Sequence, residues 1–290
     1  MENYKQFLAA LCGGVAVLLG SYFLHHDARV FSQTSTRQTA YERVMQTQTL
    51  RCGYVLVAPS LVKDAATGRL SGMVFDLMTE LGRTLNLKID WAEETTPATE
   101  LEGLRTRRYD MICAVLYLRP NLMPHVEYTI PYLYVPINVI QRKGEERFKT
   151  IADIDKPSVK VAAVDGTMPM LIAQEDFKNA GIYSLPEHTA YAENMLSITT
   201  RKADVTFVDP LIFSSFANNN PDQLEINTAV PPLRVFANVF AVLKGEHDLE
   251  TMMSAALQHM LNNNKIEPLI QKYEPYPGAI LRVTQPYAKR

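Results

Sequence analysis

The sequence predicts an α/β fold in two halves of similar size, and three features predict it. Strand-like and helix-like stretches alternate along the chain, the pattern of a sheet covered by helices. One strand-like stretch, "YDMICAVLYL", is apolar through its length, as suits a parallel strand buried on both faces. The alternation breaks at the Pro-rich "PYLYVPINVIQRKGEE" and then begins again. With 290 residues the chain is long enough for one large domain or two ordinary ones. Hydrophobic residues at 47% and charged residues at 21% are ordinary for a folded protein. The formal net charge of −2 and the lack of a basic stripe argue against nucleic acid as a partner. Three cysteines without a CxxC pair, and six histidines without a cluster, give no metal-site spacing, so no metal or cofactor is expected.

The chain opens with Lys5 and an apolar run over residues 7–24. That run just reaches the length that crosses a bilayer, and no good small-residue cleavage site follows it. It reads as an uncleaved anchor, with a cleaved export signal as the alternative. Either places the following residues outside the cytoplasm. The Ser/Thr/Gln-rich residues 29–40 read as a flexible tether.

Each later element follows from its own pattern. "AYERVMQTQ" forms a short amphipathic helix, and "LRCGYVLV" (50–57) a strand interrupted by a glycine. Val74, Leu77, Met78, Leu81 and Leu85 recur at helical spacing. "LKIDWA" is the second strand, with Trp91 expected in the core; "ELEGLRTRR" is a helix and "YDMICAVLYL" the third strand. After the break come the strand "VKVAAVDG", the helices "MPMLIAQEDFKNAG" and "ENMLSITTRK", the strand "ADVTFVDP" and the helix "LIFSSFANN". A further strand, "RVFANVFAVLKG", precedes two helices, "LETMMSAALQHMLNNN" and "KIEPLIQKYEP". Residues 276–290 show no element. Cys52 and Cys113 fall on the first and third strands, where two buried thiols are expected rather than a bridge.

Between about residues 41 and 275 the chain resembles the extracytoplasmic (periplasmic) solute-binding proteins of family 3, the amino-acid ABC-transporter type. The resemblance rests on a series of motifs in order. Gly53, Pro59, Gly72, Asp76 and Leu77 match the opening strand, loop and helix; "LEGLRTRRYDMICA", "VEYTIPYLY", "VKVAAVDGT" and "RKADVTFVDP" match later passages. It implies a two-lobe, type II periplasmic-binding fold with two hinge crossings, near Tyr134–Asn138 and Ala237–Phe240. The first lobe would then comprise residues 41–136 and 237–275, and the second lobe 137–236.

The resemblance also implies a site between the lobes. Asp209 falls where the family's ammonium-binding acid sits, and equally reads as an N-cap with Pro210 at the first helical position. Gly166 and Thr167 match the family's anion-binding turn, although Asp165 beside them brings a negative charge. The carboxylate-binding arginine of the family falls on Leu122. Arg119, three residues earlier, is a displaced candidate that either reaches the ligand or sits solvated in its loop. Tyr117 and Tyr54 lie at strand ends and could face a ligand or pack between sheet and loop.

These residues point to binding rather than catalysis: capture of a small polar solute, an amino acid or related organic acid, and its presentation to a permease or sensor. The chain is expected to act as a monomer outside the cytoplasm, in the periplasm. Two alternatives stand beside this. One is a ligand-free interaction module, suggested by the missing arginine. The other is a dehydratase-like enzyme of the same fold, for which Glu127, Glu93 or Glu94 would have to serve as the acid.

Overall fold

A computed structural model describes residues 38–119 and 121–283. The expected anchor at 7–24 and the tether up to residue 37 lie outside the described residues.

The first helix, α1 (Ala40–Thr47), leads into β1 (Thr49–Tyr54), a small hairpin of β2 (Val62–Lys63) and β3 (Leu70–Ser71), then α2 (Met73–Leu85) and β4 (Lys88–Glu94). Short α3 (Glu100–Arg105) connects to β5 (Met111–Tyr117). On α2 the predicted stripe is the buried face: Val74, Met78 and Leu81 are fully buried and Leu77 is 2% exposed. Asn86 closes the helix in the left-handed conformation, its backbone N–H bonded to the carbonyl of Arg83. β1 runs parallel to both β4 and β5. The glycine inside β1 has a packing cause. A Cβ on Gly53 would stand 2.3 Å from the ring of Tyr109, which lies fully buried against that strand. Trp91 is only partly buried. It stacks on Phe75 at 5.8 Å and meets the edge of Tyr54 at 5.6 Å.

Cys52 and Cys113 form a disulfide, with Cα atoms 5.4 Å apart, which corrects the expectation of two free thiols. The cause is register. Cys52 pairs with Met111, so Cys113 is two residues further along β5, and side chains two apart share a face of the sheet.

The segment read as a Pro-rich break is the ten-residue strand β7 (Leu133–Arg142), preceded by β6 (Val126–Tyr128). Pro136 lacks an N–H and argues for punctuation. The buried run Ile137, Val139 and Ile140 outweighs it. Then follow α4 (Ile151–Ile154), β8 (Lys160–Val164), α5 (Met168–Asp176), β9 (Gly181–Leu185), α6 (Tyr191–Thr199), β10 (Val205–Val208), α7 (Pro210–Asn219) and β11 (Leu224–Ile226). The long β12 (Arg234–Leu243), α8 (His247–Asn262) and α9 (Glu267–Tyr273) complete the order.

Strands run β4-β1-β5-β12-β7-β10-β8-β9. The two long strands make the architecture. β12 pairs antiparallel with β5 through Asn238–Val242 and with β7 through Arg234–Asn238, while β7 pairs with β10 through Asn138–Gln141. Each therefore serves the strands of one lobe at one end and crosses to its partner at the other. Hydrophobic burial is divided accordingly. One core gathers Leu50, Leu77, Met111, Phe240 and Leu257; separate ones gather Val139, Val161 and Phe207, and Ile140, Met195 and Phe216. The end of the chain packs as well. Leu281 bridges to Tyr134, Ile280 is fully buried, and Arg282 is ion-paired with both Glu267 and Glu274.

Candidate functional site

A cleft of about 720 Å³ lies where the loops after β1, β4 and β5 face the turns before α5 and α6 and one side of α7. Strand ends of an α/β sheet supply binding surface because backbone groups and loops there are free of the ladder. Among the six residues the sequence singled out, Gly166, Thr167, Tyr117 and Arg119 line this cleft.

Gly166 and Thr167 form the turn that starts α5. Gly166 has φ 75°, the left-handed region that glycine adopts without penalty. Thr167 is the N-cap residue, but its hydroxyl donates to the carbonyl oxygen of Val164 at 2.6 Å instead of capping the helix. The first turn of α5 thus opens into the cleft without a side-chain cap, a place where backbone N–H groups favour negative charge. Glu187 stands across the turn, its carboxylate 3.5 Å from where a Cβ on Gly166 would lie.

Asp209 does not line the cleft; it is 3% exposed beneath it. Its Oδ1 accepts from the backbone N–H groups of Leu211 and Ile212, each at 2.9 Å, which makes it the N-cap of α7. Its Oδ2 accepts from the hydroxyl of Tyr117 at 3.0 Å. Burial pushes the Asp209 carboxyl up, against these hydrogen bonds. Burial and the neighbouring carboxylate push the Tyr117 hydroxyl well up, so it stays a donor at neutral pH. The Tyr117 ring stacks on Phe236 at 5.2 Å and lines the cleft, while Asp209 does not.

Tyr54 is 6% exposed, packs edge-on against Trp91 and is absent from the cleft wall. Leu122, where the resemblance puts an arginine, is 5% exposed and joins Leu104, Ile112 and Leu116 in a core beneath α3. Arg119 is neither solvated nor free. Its guanidinium is ion-paired with Glu100, the first residue of α3, and the two side chains are 15% and 3% exposed. Among the described residues, Arg119 Nε has no hydrogen-bond partner. Burial lowers the Arg119 pKa from its usual value, with the Tyr128 and Tyr191 hydroxyls opposing.

Four cleft residues carry chemistry that the sequence did not point out: Glu100, Glu187, His188 and Tyr191. Tyr191 opens α6, and burial raises its hydroxyl to about 12, with Asp209 adding to the rise. No motif marks them, because each reaches the site through a fold contact rather than a local pattern. Among the described residues no group of three or more His, Cys, Asp or Glu side chains could hold a metal ion.

Two α/β lobes joined by paired crossing strands, with a polar-edged cleft between them, define a two-lobe solute-binding protein. The chain belongs to the bacterial extracellular solute-binding proteins, family 3, whose family model matches residues 50–275. A "Probable amino-acid ABC transporter-binding protein" of Haemophilus influenzae is 23% identical over 253 residues, covering 87% of this chain and 95% of that protein. The crystal structure of an ancestral amino-acid-binding protein, a precursor of cyclohexadienyl dehydratase, superposes with a TM-score of 0.70 at 23% identity. It covers 81% of this chain and 99% of that one. An amino-acid ABC transporter substrate-binding protein of Streptococcus pneumoniae, bound to L-arginine, gives a TM-score of 0.68 at 21% identity over 81% of this chain and 98% of its own. At these identities the structural likeness speaks for the fold. Among the described residues no helix is long and apolar enough to cross a membrane.

Proposed function

We propose that the chain captures an amino acid between its lobes and presents it to an ABC-transporter permease or a sensor. The observation that carries this is the uncapped first turn of α5 opening into the cleft beside Gly166 and Thr167. A ligand carboxylate there meets the backbone N–H groups of Met168 and Met170, Pro169 between them having none, and the positive end of a helix. Its ammonium end is read through Tyr117, with Asp209 behind it, and Tyr191. With Arg119 ion-paired to Glu100 and Glu94 to Lys63, Glu187 adds negative charge to the wall, which suits a solute that is not itself acidic. The arginine-bound relative supports the same reading. Tyr54 takes part only by supporting Trp91 and the loop after β1.

The lobes that would close are residues 41–136 with 237–275, and 137–236, hinged where β7 and β12 pair. The chain acts as a monomer in the periplasm, tethered through residues 7–24, and does not transform its solute. Against a dehydratase role, Glu93 and Glu127 are off the cleft wall, paired with Arg108 and with Lys244 and His247. Glu94 is on the wall but ion-paired with Lys63.

A thermal-shift screen of the full-length chain against amino acids, dicarboxylates, polyamines and aromatic acids tests the reading. A ligand present at about 100 times its Kd stabilises by about 2.7 kcal/mol and raises Tm by several degrees. An amino acid is expected to give such a rise. If none shifts the protein at millimolar concentration while another class does, the amino-acid reading falls.

A further inference from the structure

The Arg119–Glu100 pair is the cleft's most unusual feature. Arg119 is the sole arginine or lysine among the described residues that line the cleft. In a site that takes carboxylates, such a cation would be the natural anchor for a second anionic group, because its donor fork matches a carboxylate. Here one arm of that fork, Nη2, is already ion-paired with an internal carboxylate. Glu100 is 2% exposed, fixed as the first residue of α3, and its backbone carbonyl takes a hydrogen bond from the buried Tyr109 hydroxyl. Among the described residues no other charged side chain forms an ion pair with either partner. The pair is close to neutral as a unit, and each partner makes the other's burial tolerable.

We propose that Glu100 is a specificity-determining residue: by holding the Arg119 guanidinium it makes the cleft refuse solutes with a second carboxylate and accept amino acids with neutral or cationic side chains. This rests on the amino-acid reading above. A solute carboxylate approaching Arg119 meets Glu100 at the same guanidinium, and two like charges crowded in a poorly solvated place repel strongly. Glu187 on the cleft wall adds to the same preference. A solute with an amide or a cation at its far end meets no such penalty.

The test is calorimetric titration of the full-length chain with L-glutamine, L-arginine, L-glutamate and glutarate, in the natural protein and in Glu100→Gln. The natural protein is expected to prefer L-glutamine over L-glutamate by at least tenfold; equal affinity overturns the proposal. That arm needs no variant, so it stands even where Glu100→Gln does not fold. In Glu100→Gln, checked for folding by circular dichroism, the glutamate-to-glutamine affinity ratio is expected to rise at least tenfold. Adding Arg119→Leu in that background should erase the gain. A folded Glu100→Gln without the gain, or a gain that survives loss of Arg119, overturns it. If no amino acid binds either protein, the amino-acid reading has failed on its own. The role of Glu100 is then decided by glutarate, which supports it by binding Glu100→Gln but not the natural protein and overturns it otherwise.

Discussion

The hydrogen bond from Tyr117 to Asp209 joins the end of β5 to the start of α7, and its energy can be worked from its geometry. Tyr117→Phe removes a 3.0 Å hydrogen bond to a carboxylate that is 3% exposed, while the two amide bonds to Oδ1 remain. A hydrogen bond to a buried charged group contributes about 1.5–3 kcal/mol, so the expected loss is about 2 kcal/mol. For a chain of this size that lowers Tm by about 4–8 °C. Asp209→Ala loses the N-cap of α7, about 1 kcal/mol, and leaves the Tyr117 hydroxyl without its acceptor, about 1–3 kcal/mol more. Because both changes break one bond, the double variant should be less destabilised than the sum by about 2 kcal/mol. Asp209→Asn separates cap from charge, since asparagine caps helices as well as aspartate does. Urea or thermal unfolding of the four proteins measures the cycle. A coupling below about 0.5 kcal/mol, the ordinary scatter of additive sites, would refute the reasoning that Tyr117 rests on Asp209.

Three further outcomes follow from single features. The disulfide joins residues separated by 61 positions, so chain entropy gives it about 4 kcal/mol. Cys52→Ala with Cys113→Ala should lower Tm by about 8–16 °C, and alkylation of the denatured, unreduced protein should label Cys12 alone; three labelled cysteines would remove the bridge. Hydrogen bonds from Arg147 hold the Glu145 carboxyl down at about 2, below its ordinary value of 4.5. A carboxyl depressed on folding stabilises fully above its unfolded value and loses that stability as pH falls through its folded one. About 2 kcal/mol, allowing for the half-exposed Arg147, should therefore vanish between pH 4.5 and 2. Melts of Glu145→Gln should show a flatter acid slope there, and an identical slope would count against the pairing. Gly166→Ala meets only Glu187 at 3.5 Å, ordinary contact, so its cost is the left-handed backbone at φ 75°, about 1 kcal/mol. It should weaken solute binding more than a stability loss of that size explains; unchanged affinity would take the turn out of the site.

What the sequence disclosed was what local pattern controls. The α2 stripe from Val74 to Leu81 could be read because helical spacing and burial follow one period. Asp209 with Pro210 could be read as a cap because the signature is contiguous, and the structure shows that cap. β7 escaped notice because Pro136 and its neighbours look like punctuation until pairing with β12 is known. β9 escaped because "GIYSL" is five residues long and mostly not buried. The disulfide depends on a two-residue offset between strands, which sequence does not state. The pairing of Arg119 with Glu100 brings a loop after β5 to the start of α3, and nothing near either residue signals the other.

These illegible contacts share a physical logic. Each charged group that the family resemblance would offer to a solute has been given an internal partner. Arg119 is held by Glu100, and Asp209 is engaged by Tyr117 and two amides. Leu122 has turned into the core. In such a cleft a solute gains little from meeting an already paired charge, because only the surplus over the internal interaction counts. Binding strength must then come from groups left open: the first turn of α5, the apolar wall and the fit of closure. Specificity comes from the internal pairs, since a solute that competes with them must break a buried ion pair or a buried hydrogen bond before it gains anything. The same pairs that neutralise the cleft's buried charges therefore narrow the class of solutes that it accepts.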